Sequence, residues 1–169
     1  MLITIPSQDV PTGPSGEQLG SGSFPVGKSA TEDRAVTDRR PKNWAERTLP
    51  PPRLPIGPQL TRRVVTPGSG LRHVIADLPN WYHNLFAGDP HLKHNPLGPP
   101  IRLRDAQRIG LKMRGVSSKV RWVQPCLDVL AMGDAKAVLL AQAATLGLLD
   151  QGGVDTSRNV VYGCPVPGC

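Results

Sequence analysis

The stretch Val74-Ile75-Ala76-Asp77-Leu78-Pro79-Asn80-Trp81-Tyr82 decides how this chain is read. An apolar run long enough for a buried strand ends on a carboxylate, and an aromatic follows five residues after the acid. Pro79 stops the strand, because it has no N–H for a ladder. A strand-end Asp is well placed to hold a divalent metal. The pattern predicts a strand over 71–77 and, after it, a Pro-, Gly-, Asn- and His-rich loop over 80–100. From Leu103 to Met113 the spacing predicts a helix, with Leu103, Ala106, Ile109, Gly110 and Met113 on one face. Arg104, Arg108 and Lys112 then fall at i, i+4 and i+8 on another face. Val120 to Met132 reads as one strand broken by Pro125, or as two short strands. Gly133 makes a turn, and Asp134 is placed to cap a helix running to Leu149. That helix is apolar almost all round, so it is expected to be buried.

The rest of the chain has a different composition. Residues 1–62 hold ten prolines and six glycines without a sustained apolar period. Such a segment does not bury enough apolar surface to offset its ordering entropy, so a disordered leader is expected over 1–62 and a folded part over 63–169. Pro50-Pro51-Pro52 and Pro55 suit a polyproline linker. Twenty Lys and Arg stand against thirteen Asp and Glu, a formal charge of +7. Seven basic residues and a single acid, Asp105, lie between 101 and 121. That balance favours polyanionic partners. Three cysteines at irregular spacing exclude a secreted disulfide framework. The start of the chain lacks the pattern of a signal peptide, and no apolar run reaches the ~20 residues of a membrane span. An intracellular chain with no membrane association is expected, with cytoplasm and nucleus both open.

Two segments together resemble the palm motifs of retrotransposon reverse transcriptases. The first is the strand ending at Asp77, with Tyr82 five residues on. The second is Val129-Leu130-Ala131-Met132-Gly133 followed by a helix carrying Gln142, nine residues after the glycine. Order and internal spacing match, and 56 residues separate Asp77 from Gly133. The likeness covers about residues 70–150. It implies an α+β fold, part of a polymerase palm with an antiparallel sheet and packed helices. It implies that Asp77 is a catalytic metal-binding carboxylate and that Leu78 offers its carbonyl to Mg²⁺. Tyr82 would be the gate against a 2′-hydroxyl, and Met132, Gly133 and Gln142 would lie at the nucleotide and template pocket. The partner implied is an RNA or DNA template–primer, and the parent reaction is RNA-templated DNA synthesis by two-metal phosphoryl transfer. The family's Tyr-x-Asp-Asp hairpin does not follow, and one carboxylate does not hold two Mg²⁺ ions. The chain is therefore expected to be an inactive fragment or remnant.

Other features carry competing readings. A non-catalytic basic nucleic-acid-binding protein is the alternative, with Arg104, Arg108 and Lys112 as phosphate contacts and Trp81 and Trp122 as stacking faces. Gly22-Ser23-Phe24-Pro25-Val26-Gly27-Lys28-Ser29 matches the phosphate-loop pattern and gives a third reading, a nucleotidase. No apolar strand enters Gly22 and no amphipathic helix follows Ser29, which favours a chance match. His83, His91 and His94, or Cys164 and Cys169, lack the spacing of a complete zinc set.

Overall fold

The computed structural model describes residues 2–46, 54, 65–70 and 77–158. The strand expected over 71–77 lies outside them except for Asp77, as do Pro50-Pro51-Pro52, Pro55, Cys164 and Cys169. The chain divides into two compact units, Met1–Thr48 with Asn80–Ala137, and Leu49–Pro79 with Val138–Cys169. The architecture is mixed α/β.

The first unit is built on a four-stranded sheet whose central pair joins the start of the chain to its middle. Strand β1 (Leu2–Pro6) pairs antiparallel with β6 (Trp122–Leu127), Ile3 opposite Cys126 and Ile5 opposite Gln124. The two-residue strand β4 (Ile101–Arg102) pairs antiparallel with β6. On the other edge β5 (Lys112–Met113) pairs parallel with β1. The order is β4-β6-β1-β5. This sheet is mixed, where an antiparallel one was expected, because β5 follows a helix that returns the chain in the direction of β1.

Burial explains why β1 belongs there. Ile3 and Ile5 pack with Val10, Leu92 and Cys126 in one apolar cluster. Thr4, on the opposite face, is also fully buried, and its hydroxyl donates to the Lys112 carbonyl at 3.0 Å. Residues 2–46 are thus not the unstructured leader that their composition suggests. Five residues of this segment complete the core, and an antiparallel hairpin, β2 (Gly22–Gly27) with β3 (Asp33–Asp38), and helix α1 (Arg40–Ala45) follow.

Pro125 does not break β6. Its carbonyl accepts from the Leu97 amide at 2.8 Å, so its nitrogen also faces away from β1, where no donor is needed. Buried Cys126 has its thiol pushed up to about 12 by loss of solvent.

The helix expected over 103–113 is shorter. Helix α3 (Leu103–Arg108) follows a short α2 (Asp89–Leu92), and Gly110, at φ 72°, turns the chain into β5. The last helix, α4 (Ala137–Gln151), forms close to its expected bounds, but it is not buried. Val138, Leu140, Leu148 and Leu149 are 37–54% exposed. Among the described residues, its unit holds one further element, a 3₁₀ turn (Thr156–Arg158).

Candidate nucleic-acid interface

The basic segment folds into two edges of the sheet and the short helix between them. Arg102 on β4 lies directly opposite Trp122 on β6, and its guanidinium carbon stands 5.7 Å from the Trp122 ring centroid. This contact holds the side chain against a half-exposed ring. Leu103 donates its amide to the Arg121 carbonyl at 3.0 Å, which fixes the start of α3 beside Arg121. Arg102, Leu103, Arg104, Gln107 and Arg121 line a groove of about 270 Å³. Three arginines and no acid line this small space. The nearest carboxylate contact is Arg104 Nε to Asp105 Oδ1 at 4.0 Å, with the arginine side chain 73% exposed. A contact of that length and exposure neutralises little.

Of the three expected phosphate contacts, Arg104 lines this groove and Arg108 is exposed one turn along α3. Lys112 does not share their face. The helix stops at Arg108, and Lys112 is on β5, three strand positions from β4. Arg102 and Arg121 take its place. Both were visible as members of the basic run, but their meeting depends on a β4–β6 pairing that spacing along the chain does not reveal. Trp81 is partly buried within a 3₁₀ turn (Trp81–Asn84), so Trp122 is the better stacking surface.

The palm-motif residues fall into both units. Asp77 and Leu78 are exposed in irregular backbone of the second unit, and Gln142 lies on α4 in the same unit. Tyr82, in the 3₁₀ turn, and Met132 and Gly133 belong to the first. Met132 is half-exposed. Gly133 adopts φ 89°, a left-handed conformation that favours glycine. Asn43 of α1 holds this turn, donating to the Gly133 carbonyl at 2.9 Å and accepting from the Ala135 amide at 3.0 Å. Among the described residues no group of three or more His, Cys, Asp or Glu side chains is placed to share a metal ion. Asp77 thus belongs to no such group among the described residues, and no step through the implied Mg²⁺ is derived. No described helix is long and apolar enough to cross a membrane.

The phosphate-loop match has a different structure from the one its chemistry requires. Gly22–Gly27 is itself strand β2, and Lys28 sits in the hairpin turn with its ammonium 2.7 Å from Glu32. A phosphate cradle needs a loop between a strand and a helix, whereas here a second strand follows.

A second cluster of charge is buried. Arg39, at the start of α1, donates to Ser21 Oγ at 2.7 Å, Asn95 Oδ1 at 2.7 Å, the His94 carbonyl at 3.1 Å and Asp134 Oδ2 at 3.1 Å. Lys42, one turn on, lies 2.5 Å from the same Asp134 oxygen and 3.0 Å from Glu46 Oε1. Lys136 stands 3.2 Å from Glu46 Oε2. Burial alone would raise the Asp134 carboxyl. The hydrogen bonds from Lys42 and the Lys136 amide, with the charge of Lys42 and a bond from Arg39, outweigh it and hold the carboxyl below its ordinary value. Asp134 was read as a helix cap. One of its oxygens does accept from the Lys136 amide at 2.9 Å, and the other is committed to the buried cations.

Comparison with protein families, with curated proteins and with solved structures gives no match. The functional reading therefore rests on the geometry above.

Proposed function

We propose that this chain is a non-catalytic basic protein that binds nucleic acid through phosphate contacts on the Arg102–Arg104–Arg121 face. The observation that carries this reading is the groove lined by three arginines and no acid. Three exposed arginines that line one groove concentrate positive charge there, and a polyanion relieves their mutual repulsion while releasing its own counterions. Arg presents a planar fork that matches phosphate oxygens, so the groove suits phosphate better than lysines would. Arg108 extends the face along α3, and Trp122 supplies an apolar ring at its rim for an unpaired base. Binding to single-stranded and duplex oligonucleotides as salt is raised tests the reading. Affinity should fall steeply, with a log–log slope of about −0.9 per phosphate contacted on a duplex and about −0.7 on a single strand. Undetectable binding, or binding indifferent to salt, removes it.

A remnant of a reverse-transcriptase palm is the second reading, and it shares this partner. Its support is Gly133, which makes a tight turn at φ 89° shortly before α4, in keeping with the small Gly turn before a helix in the family's second motif. The parent reaction would be RNA-templated DNA synthesis from deoxynucleoside triphosphates with Mg²⁺. Spin labels at positions 77 and 133, in a chain without other reactive cysteines, test it. A palm needs a short, narrow distance distribution, and a long or broad one removes this reading while leaving nucleic-acid binding intact.

A further inference from the structure

A second cleft in the first unit lies away from the arginine groove, where the loop after β1 faces α1 and the His91–His94 segment. Its volume is about 670 Å³, within the range of small-molecule sites. The β1 loop supplies an apolar wall of Val10, Pro11, Pro14 and Leu19. The opposite wall is polar and holds three lysines, Lys42, Lys93 and Lys136, against one acid, Glu46. That acid is already neutralised, with one oxygen 3.0 Å from Lys42 and the other 3.2 Å from Lys136. Lys42 is further tied to buried Asp134. Lys93 is exposed and has no carboxylate partner among the described residues.

We infer that this cleft is a binding site for a small organic anion, its apolar body against the Val10–Leu19 loop and its carboxylate, phosphate or sulfonate group against Lys93 and Lys136. The physical basis is the asymmetry of the walls. The lining lysines all come from α1, the His91–His94 segment and the turn before α4, and the β1 loop offers a single hydrogen-bonding side chain, Thr12, beside its apolar groups. His94 lies on the polar wall between Lys42 and Lys93. Burial, first, and the two ammonium charges hold its imidazole below its ordinary pKa, so it is a neutral group in a positive field. An anion arriving there reverses part of that field.

The test uses the full-length chain and two probes that share one ring system. 8-Anilinonaphthalene-1-sulfonate carries the anion, and N-phenyl-1-naphthylamine lacks it. The sulfonate should bind saturably at one site, at least tenfold more tightly than the neutral amine. Lys93→Glu should weaken it tenfold or more with the unfolding midpoint unchanged, and Lys93→Arg should retain it. The His94 ring, followed by NMR, should titrate at higher pH with the sulfonate bound. Equal binding of the two probes, non-saturating fluorescence, or a Lys93→Glu protein that is folded and binds normally overturns the inference, as does a His94 titration that the sulfonate does not move. If Lys93→Glu is not folded, Lys93→Gln, which only removes the charge, should show a smaller loss in the same direction, and no loss there also overturns it.

Discussion

Two clusters of basic side chains in one unit illustrate what burial does to charge. Arg39 is wholly inside, and its guanidinium meets a hydroxyl, a backbone carbonyl, an amide oxygen and a carboxylate. Arg104 is outside, with one carboxylate 4.0 Å away. Both terminal nitrogens of the first are engaged inside the protein, and its burial keeps it from a ligand. The second is held mainly by its backbone and keeps its donors for a partner. The buried cluster accordingly reads as structure, fixing α1 against the Gly133 turn, and the exposed groove reads as function. The same residue type has opposite roles, and the pairing decides which.

The largest effect that can break this contrast is on the buried side. Asp134→Ala should destabilise the fold by about 3–5 kcal/mol, because it strands the buried Arg39 cation and leaves Lys42 with Glu46 alone. Urea unfolding followed by circular dichroism measures it, and a loss near zero would mean that the cluster is solvated in solution.

Acid should act on the same place in two stages. The imidazole of His94 titrates lower when folded than when unfolded. The unfolded chain therefore takes up the proton first, and stability declines as pH falls below the ordinary histidine value of about 6.5. Asp134 is also depressed, so its contribution is complete above the ordinary carboxylate value of about 3.9 and is lost as pH falls through its lower folded value. Unfolding midpoints measured from neutral pH down to 3 should show the first decline, and His94→Gln should remove it.

The exposed side should behave in the reverse way. Arg104→Ala or Arg121→Ala should change stability by no more than about 0.5 kcal/mol. Each should make the salt slope of nucleic-acid binding shallower by about one. Fluorescence anisotropy of a labelled oligonucleotide at several salt concentrations gives that slope. The smallest effect is expected at Lys112, which is on β5 at the far edge of the sheet. Lys112→Ala should leave the slope almost unchanged, and a loss equal to that of Arg104→Ala would return the binding face to the helical stripe that the spacing suggests.

The chain's sequence made part of this visible. The stretch expected to be strand over Val120 to Met132 contains β6, and Gly133 marks the turn before α4, because both signals are local; Gly110, which the spacing placed within the helix, turns the chain just after it instead. β1 is not visible in the same way. It has only Ile3 and Ile5 in alternation between the first residues and Pro6, inside a segment whose composition resembles a linker. Its place in the core comes from β6, more than 110 residues away. The hairpin β2–β3 carries a proline and exposed side chains throughout its first strand, so it has no apolar period to read. The buried cluster is the hardest case. Arg39, Asn95 and Asp134 are separated by dozens of residues, and a lone charged residue reads as solvent-facing until its partner is known. The arginine groove falls between these extremes, since its charge was plain in the sequence and its shape was not.

One experiment bears hardest on the contrast between engaged and available arginines. Nucleic-acid binding would be measured across salt for the unaltered chain and for the triple variant Arg102→Gln, Arg104→Gln, Arg121→Gln, with unfolding curves for both. The variant should fold as before and bind with a log–log salt slope shallower by about three. An unchanged slope in a folded variant would contradict the assignment of phosphate binding to this groove.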